Sequence, residues 1–271
     1  MGECLNKYFI FNNEMKNCTE FDDSLLNKGK SLYEVIRIID GKPLFLQRHL
    51  ERLKNSAKLA DVELWLAEEQ IKERIAKLTN ENDISIGNVK LVFSFDKNNI
   101  FLAYFVKHHY PAKEDYENGV KTIFYHGERK NPNAKIINMQ FRIAVDKEIR
   151  EENAYEAILV DRNGYITEGS KSNIFMVRGR TIITSPLEDV LPGITRNVII
   201  EVCREMALEV EEKKIHYKDV KDLDALFISG TSPKVLPINE VGGTEFNSSH
   251  NEVVMKIMSG YDKAMKEDVM N

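Results

Sequence analysis

The sequence predicts an α/β protein in two parts, a small α+β domain followed by a larger mixed α/β domain. Three observations carry this. Short β-branched runs with period-2 alternation come in pairs joined by turn residues, as hairpins do. Other stretches switch to apolar residues three or four apart, the helical period. Between them a polar stretch, KHHYPAKEDYEN at 107–118, holds Pro111 and separates the two halves. The domains are therefore expected at 1–110 and 121–271, with a linker at 111–120.

Residues 7–11 read as a short apolar strand ending at Asn12-Asn13. Residues 31–39 (SLYEVIRII) alternate, Asp40-Gly41 turns the chain, and 43–46 returns as the second strand of a hairpin. At Gln47 the period changes. Leu50, Leu53, Ala57 and Leu59-Ala60 place an amphipathic helix over 47–59 with a basic outer face, and 63–78 reads as a second helix. Strands at 88–95 and 100–106 are joined by Asp96-Lys97-Asn98-Asn99.

Beyond the linker, 121–125 is a strand and 126–134 (HGERKNPNA) a loop. A helix is expected over 138–152, with Met139, Ile143 and Ile149 directed inward. In EAILVDRNGYITEGSKSNIF (156–175) an apolar run is followed by Asn163-Gly164, which suits a tight reversal, and a second strand delivers Glu168 at its end. Residues 181–184 form a further strand, and Leu191-Pro192-Gly193-Ile194-Thr195 introduces a helix to about 208. A buried strand at 226–229 runs into Gly230-Thr231-Ser232-Pro233, 235–238 continues it, and a helix at 252–265 closes the chain.

Composition excludes several classes. With 43 acidic and 38 basic residues the net charge is −5, which argues against a nucleic-acid or anionic-membrane binder. Cys4, Cys18 and Cys203 are an odd set without CxxC spacing. They point to a reducing compartment, and to neither a disulfide framework nor a zinc site. His108-His109 reads as a solvated loop, and no metal is expected. The N-terminal residues lack the basic start and apolar core of a signal peptide, and no run reaches the ~20 apolar residues of a membrane span. The protein reads as cytoplasmic.

Candidate chemistry gathers at few places. A carboxylate at a strand end beside small hydroxyl residues, Glu168 before Ser170, suits a polar ligand; an ordinary hairpin with a solvated Glu is the alternative. Gly193-Ile194-Thr195 feeds a helix whose free N–H groups, with the Thr195 hydroxyl, suit a phosphate, though Thr195 also reads as a plain N-cap. Thr231 and Ser232 after Gly230 offer similar donors. Arg52 on the first helix has a planar fork for an anion, and by itself is a surface residue.

Taken in order, HLERL, KIIN, EAILVDRNGYITEGSKSN, LPGITR and SGT resemble the fold-type IV enzymes that use pyridoxal 5′-phosphate (PLP). These are the branched-chain and D-amino-acid aminotransferases and the aminodeoxychorismate lyases, and the resemblance runs from about Ser31 to Gly243. It implies the D-amino-acid aminotransferase-like fold, PLP as cofactor, and at least a homodimer. It makes Lys135, heading Lys135-Ile136-Ile137-Asn138, the Schiff-base lysine that shuttles the Cα proton. Glu168 matches the carboxylate facing the pyridine nitrogen. Arg52, Ile194, Thr195 and Thr231 match the phosphate cup, and Asn138, Ser170 and Asn173 the cofactor's edge.

Tyr33-Glu34 follows the aminotransferases rather than the lyases, which tend to carry Thr in place of that Glu. Where branched-chain enzymes place Tyr and Arg toward the substrate, this chain has Asn88 and Lys90. The substrate residues expected are Tyr33, Lys90 and Ser232. The implied reaction passes an amino group from an amino acid, apolar or branched-chain L-type favoured, to a 2-oxo acid. A D-amino-acid aminotransferase and a lyase of the aminodeoxychorismate type are the alternatives.

Overall fold

The computed structural model describes residues 3–27, 29–108 and 110–270, so His109 of the His108-His109 pair lies outside the described residues. The chain separates into two compact units. The first holds 1–109, 134–137 and 265–271, and the second holds 110–133 and 138–264.

The first unit begins with strands β1 (Cys4–Phe11), β2 (Glu14–Asn17), β3 (Lys30–Ile39) and β4 (Lys42–Pro43). Helices α1 (Leu46–Leu59) and α2 (Glu68–Glu81) follow, then β5 (Ile86–Phe95) and β6 (Ile100–Val106). The strands form one antiparallel sheet in the order β2-β1-β6-β5-β3-β4. Alternation decides its faces. Leu32, Ile36 and Ile38 of β3, Val89, Leu91 and Phe93 of β5, and Phe101, Ala103 and Phe105 of β6 pack with α1 and α2. The helices answer with Leu50, Leu53 and Ala57, and with Ile71, Ile75 and Leu78. Each such buried Leu, Ile, Val or Phe side chain contributes about 1.5–3 kcal/mol. The opposite face carries Tyr33, Val92, Leu102 and Tyr104, with Ile137 packed among them.

Three expectations are corrected in this unit. The expected strand over 43–46 ends at Pro43, because Phe45 takes a left-handed φ of 51° as the N-cap of α1. The second helix starts at Glu68 rather than 63: Gln70 accepts the Ala67 N–H (3.0 Å), and Glu68 and Glu69 suit a helix's positive first turn. The apolar Leu64, Trp65 and Leu66 pack on the core from a loop instead. Finally, Cys4 and Cys18 are joined in a disulfide with Cα atoms 6.0 Å apart. The β1–β2 hairpin folds 14 residues back on themselves, which no cysteine spacing announces. Only Cys203 is a free thiol, and the expectation of a reducing compartment loses two of its three cysteines.

The second unit contains α3 (Lys113–Asn118), β7 (Val120–His126), α4 (Met139–Glu151), β8 (Glu156–Val160), β9 (Ile166–Gly169), β10 (Asn173–Arg178) and β11 (Thr181–Thr184). It continues with α5 (Ile194–Glu205), β12 (Glu209–Glu212), β13 (Ala225–Gly230), β14 (Lys234–Val241), β15 (Thr244–Glu245) and α6 (Glu252–Met270), whose last residues group with the first unit. The interval 113–118, read as linker, is thus helical.

The strands run in the order β12-β11-β10-β13-β14-β7-β8-β9, with β15 on β14. Parallel pairs (β11–β12, β14–β7, β7–β8) mix with antiparallel ones. Only residues 170–172 link β9 at one edge to β10 near the other. Four residue steps reach at most ~14 Å, so the sheet must curl until β9 approaches β10.

Ile158, Ile174, Met176, Leu226, Ile228 and Leu236 fill one core of this sheet. On α4 only one of the three residues expected inward packs: Ile149 does, whereas Met139 and Ile143 are 44% and 60% exposed. The stripe that packs is Phe141, Val145 and Ile149, spaced by four. Helix α5 stops at Glu205, short of 208, where Ala207 turns to a φ of 53°.

Candidate active site

In the first unit a polar stripe runs along α1. His49, Arg52 and Ser56 recur at helical spacing beside the apolar Leu50, Leu53 and Ala57, and all are buried. Glu34 points from β3 to the same side and is 0% exposed. Its Oε1 accepts Arg52 Nε (2.8 Å), its Oε2 accepts Arg52 Nη2 (2.6 Å), and His49 Nδ1 lies 2.8 Å from Oε2. Burial alone raises a carboxyl, but the charge and hydrogen bonds of Arg52, joined by those of His49, together outweigh it and hold Glu34 down at about 2. Burial likewise lowers the His49 imidazole, against the pull of Glu34. Arg52 is therefore an oriented buried cation, where the sequence alone read a surface residue.

Segment 134–137 adds itself to β3. Lys135 carbonyl accepts the Tyr33 N–H (3.1 Å), Ile137 N–H donates to Ser31 carbonyl (3.2 Å), and Leu32 bridges Ile136. Lys135 N–H donates to Ser56 Oγ at 3.3 Å. This pairing turns the Lys135 side chain to the helix-free face, where its ammonium lies 4.8 Å from the Tyr33 ring centroid. Lys90 lies 5.5 Å from the same ring. Lys135 and the expected substrate residues Tyr33 and Lys90 therefore share one face, with Arg52 across the strand.

In the second unit Glu168 lies within β9, 3% exposed. It accepts the Leu191 N–H through Oε2 (3.0 Å) and Arg129 Nη1 through Oε1 (3.1 Å). Asn173 donates to the Leu191 carbonyl (2.9 Å). A Cβ on Gly193 would come 2.0 Å from Asn173 Oδ1, so the turn requires glycine there. ITEGSKSN and LPGITR, apart in sequence, thus grip each other. Asn173 also pairs with Ser229 on β13, and the Lys171 carbonyl lies against Gly230. The 170–172 link, the 191–193 turn and the Gly230-Thr231-Ser232 turn therefore gather at one end of the sheet.

Gly193, not Thr195, is the N-cap of α5, with no side-chain cap and no acidic residue in the first turn. Thr195 Oγ1 lies 3.4 Å from Tyr261 Oη. Ser229 Oγ is buried with no hydrogen-bond partner among the described residues. An uncapped helix start beside an orphaned buried hydroxyl fits a phosphate. Thr231 and Ser232 are half-buried there. Other expected residues have structural duties: Asn138 Oδ1 accepts the Phe141 N–H (3.2 Å) as cap of α4, and Ser170 Oγ donates to Glu156 (3.3 Å).

Sequence reasoning missed the roles of five residues. Glu34 and His49 orient Arg52, and only a fold that lays β3 on α1 shows it. Arg129, in the loop 126–134, pairs with Glu168. Glu156, 4% exposed, accepts the Lys171 N–H (2.5 Å) and so shapes the link that follows Glu168. Glu3 reaches Lys90 from ahead of β1 (2.6 Å).

Comparison with known proteins identifies the family. Residues 31–241 match the family described as amino-transferase class IV. The chain is 29% identical over 249 residues to a D-alanine aminotransferase of Bacillus licheniformis, covering 87% of each. It is 28% identical to the branched-chain-amino-acid aminotransferase of Escherichia coli K12, over 88% of this chain and 86% of that one. A crystal structure of an E. coli branched-chain aminotransferase shares the fold, with a TM-score of 0.87 at 24% identity over 96% and 95% of the two chains. With the fold-type IV architecture in place and the family pattern matched over most of its length, the chain belongs to the class IV aminotransferases.

Proposed function

We propose that this chain transfers an amino group between an amino acid and a 2-oxo acid on PLP, with apolar or branched-chain L-amino acids as the favoured donors. The observation that supports it most is the placement of Lys135. Its backbone is registered on β3 and its amine lies against Tyr33, on the sheet face that also carries Lys90.

When bound, PLP supplies an electron-accepting ring that makes the substrate Cα proton removable. Lys135 is assigned the covalent hold on the cofactor and the movement of that proton. Glu168, steadied by Leu191 and Arg129, is assigned the hydrogen of the pyridine nitrogen. Ile194 and Thr195, at the uncapped start of α5, receive the phosphate with Thr231 and Arg52. Asn138, Ser170 and Asn173 are assigned the cofactor's edge. Tyr33, Lys90 and Ser232 are assigned to the substrate, Lys90 as a point charge for a carboxylate. A homodimer in the cytoplasm completes the reading.

Borohydride treatment of the yellow protein is expected to fix the cofactor on Lys135, read by peptide mass. Attachment that persists in Lys135→Ala rejects the assignment. Half-reactions with L-leucine and D-alanine, followed by loss of absorbance, decide stereochemistry. Reaction with D-alanine alone replaces the L-donor reading by the second one, which the B. licheniformis relative supports. Pyruvate release from aminodeoxychorismate without a 2-oxo acid selects the lyase.

A further inference from the structure

Lys90 is 8% exposed, on the middle strand of three, with Val35 beside it on β3 and Tyr104 on β6. Such a burial asks for a counter-ion, and the structure supplies one from residue 3, ahead of the stretch 31–241 that matches the family. Glu3 Oε1 pairs with Lys90 Nζ at 2.6 Å, and Glu3 Oε2 accepts the Tyr104 hydroxyl at 2.6 Å. Burial and the Glu3 carboxylate together push the Tyr104 phenol far up, which keeps it a donor. One carboxylate is thus held by a cation and a hydroxyl, and the Tyr33 ring neighbours both Lys90 (5.5 Å) and the amine of Lys135 (4.8 Å).

The two partners of this pair are unlike. The Lys90 side chain is 11% exposed and lies over the Tyr33 and Tyr104 rings. The Glu3 side chain is 39% exposed and arrives from outside the sheet. Glu3 is the member that water can replace around, so it is the one that can leave.

We propose that Glu3 is the resident counter-ion of Lys90 and yields its place to the second carboxylate of a dicarboxylic substrate. One pocket then takes an apolar side chain with Glu3 seated and an acidic one with Glu3 displaced. An amino-transfer cycle with an apolar donor and an acidic acceptor needs both states at a single centre. An unneutralised Lys90 would repel the first, and a permanently seated Glu3 the second. The inference rests on the amino-transfer reading for the direction of the substrate, from Lys135 past Tyr33 toward Lys90.

The test uses the purified full chain, wild type and Glu3→Gln, with Glu3→Ala as a second variant and circular dichroism to check folding. Binding of glutarate and of 4-methylpentanoate is measured by calorimetry. Both variants are expected to bind glutarate about tenfold more tightly and 4-methylpentanoate more weakly than wild type. Adding Lys90→Met is expected to remove the glutarate gain. In turnover, kcat/KM is expected to rise for 2-oxoglutarate and fall for L-leucine. Unchanged binding, or a shift of both ligands in the same direction, overturns the proposal and shows Glu3 to be a structural tether. If the opposite shifts in binding appear but no amino acid reacts, the amino-transfer reading falls and the counter-ion assignment stands.

Discussion

Glu34 in the first unit and Glu156 in the second are both buried carboxylates, 0% and 4% exposed, yet they titrate in opposite directions. Glu34 faces a guanidinium and an imidazole, and is held at about 2 despite its burial. Glu156 is raised, first by burial, with hydrogen bonds from the Lys171 backbone N–H and the Ser170 hydroxyl opposing it. Hydrogen bonds soften the cost of a buried negative charge, whereas a cation at contact reverses it. The difference suits their tasks. Glu34 must keep a cation aimed, so it needs charge. Glu156 must shape a link of three residues, so acceptor oxygens suffice.

The comparison breaks first at Glu34. Glu34→Ala removes the buried carboxylate that Arg52 and His49 share and is expected to cost about 3–5 kcal/mol, read by urea unfolding at pH 7. Loss below ~1 kcal/mol would mean that water reaches Arg52. The acid limb sharpens the same point. A carboxyl depressed from 4.5 to about 2 gives stability that is complete above pH 4.5 and lost as pH falls through 2. Wild type is therefore expected to lose roughly 3 kcal/mol between those limits on this account, and Glu34→Gln to be flatter over the same range.

Smaller effects are expected around Glu156. A Cβ at Gly169 would meet Ser172 Oγ at 2.1 Å and Glu156 Oε1 at 2.7 Å. Gly169→Ala should cost about 1–3 kcal/mol, and less in a Glu156→Ala background, as thermal unfolding of the double mutant would show. Glu156→Gln is expected to change stability by less than about 1 kcal/mol at pH 5. Because Glu156 is raised, wild type loses stability as pH climbs above 4.5 toward the raised value, while the amide does not titrate. The variant should therefore gain on wild type as pH rises. A constant difference from pH 4.5 to 8 would show that Glu156 is not raised.

How far the sequence reveals these features depends on how local they are. The β3–β4, β5–β6 and β8–β9 hairpins, both helices of the first unit and the turn at Leu191–Gly193 follow from short-range patterns, whereas the polar β2 of the first hairpin does not. Lys135 stands out through the Lys-x-x-Asn element and its neighbours in order. Arg52 is visible as a candidate, but its partner is 18 residues upstream on another element and nothing in HLERL announces it. The same holds for Glu3 and Lys90, 87 residues apart, and for the cysteines that a hairpin brings together. On α4 the apolar residues offer two stripes. The sheet residues Ile123, Ala157 and Leu159 choose the one through Val145.

The pairing of segment 134–137 with β3 has a consequence for chain length. Ile136 packs with the helix-side core, while Lys135 and Ile137 turn to the other face. Adding or deleting one residue within this segment would rotate Lys135 to the wrong side and bury an ammonium against leucines. An indel here is therefore forbidden by geometry even where every side chain is retained, whereas one added in the 126–134 loop leaves that parity intact.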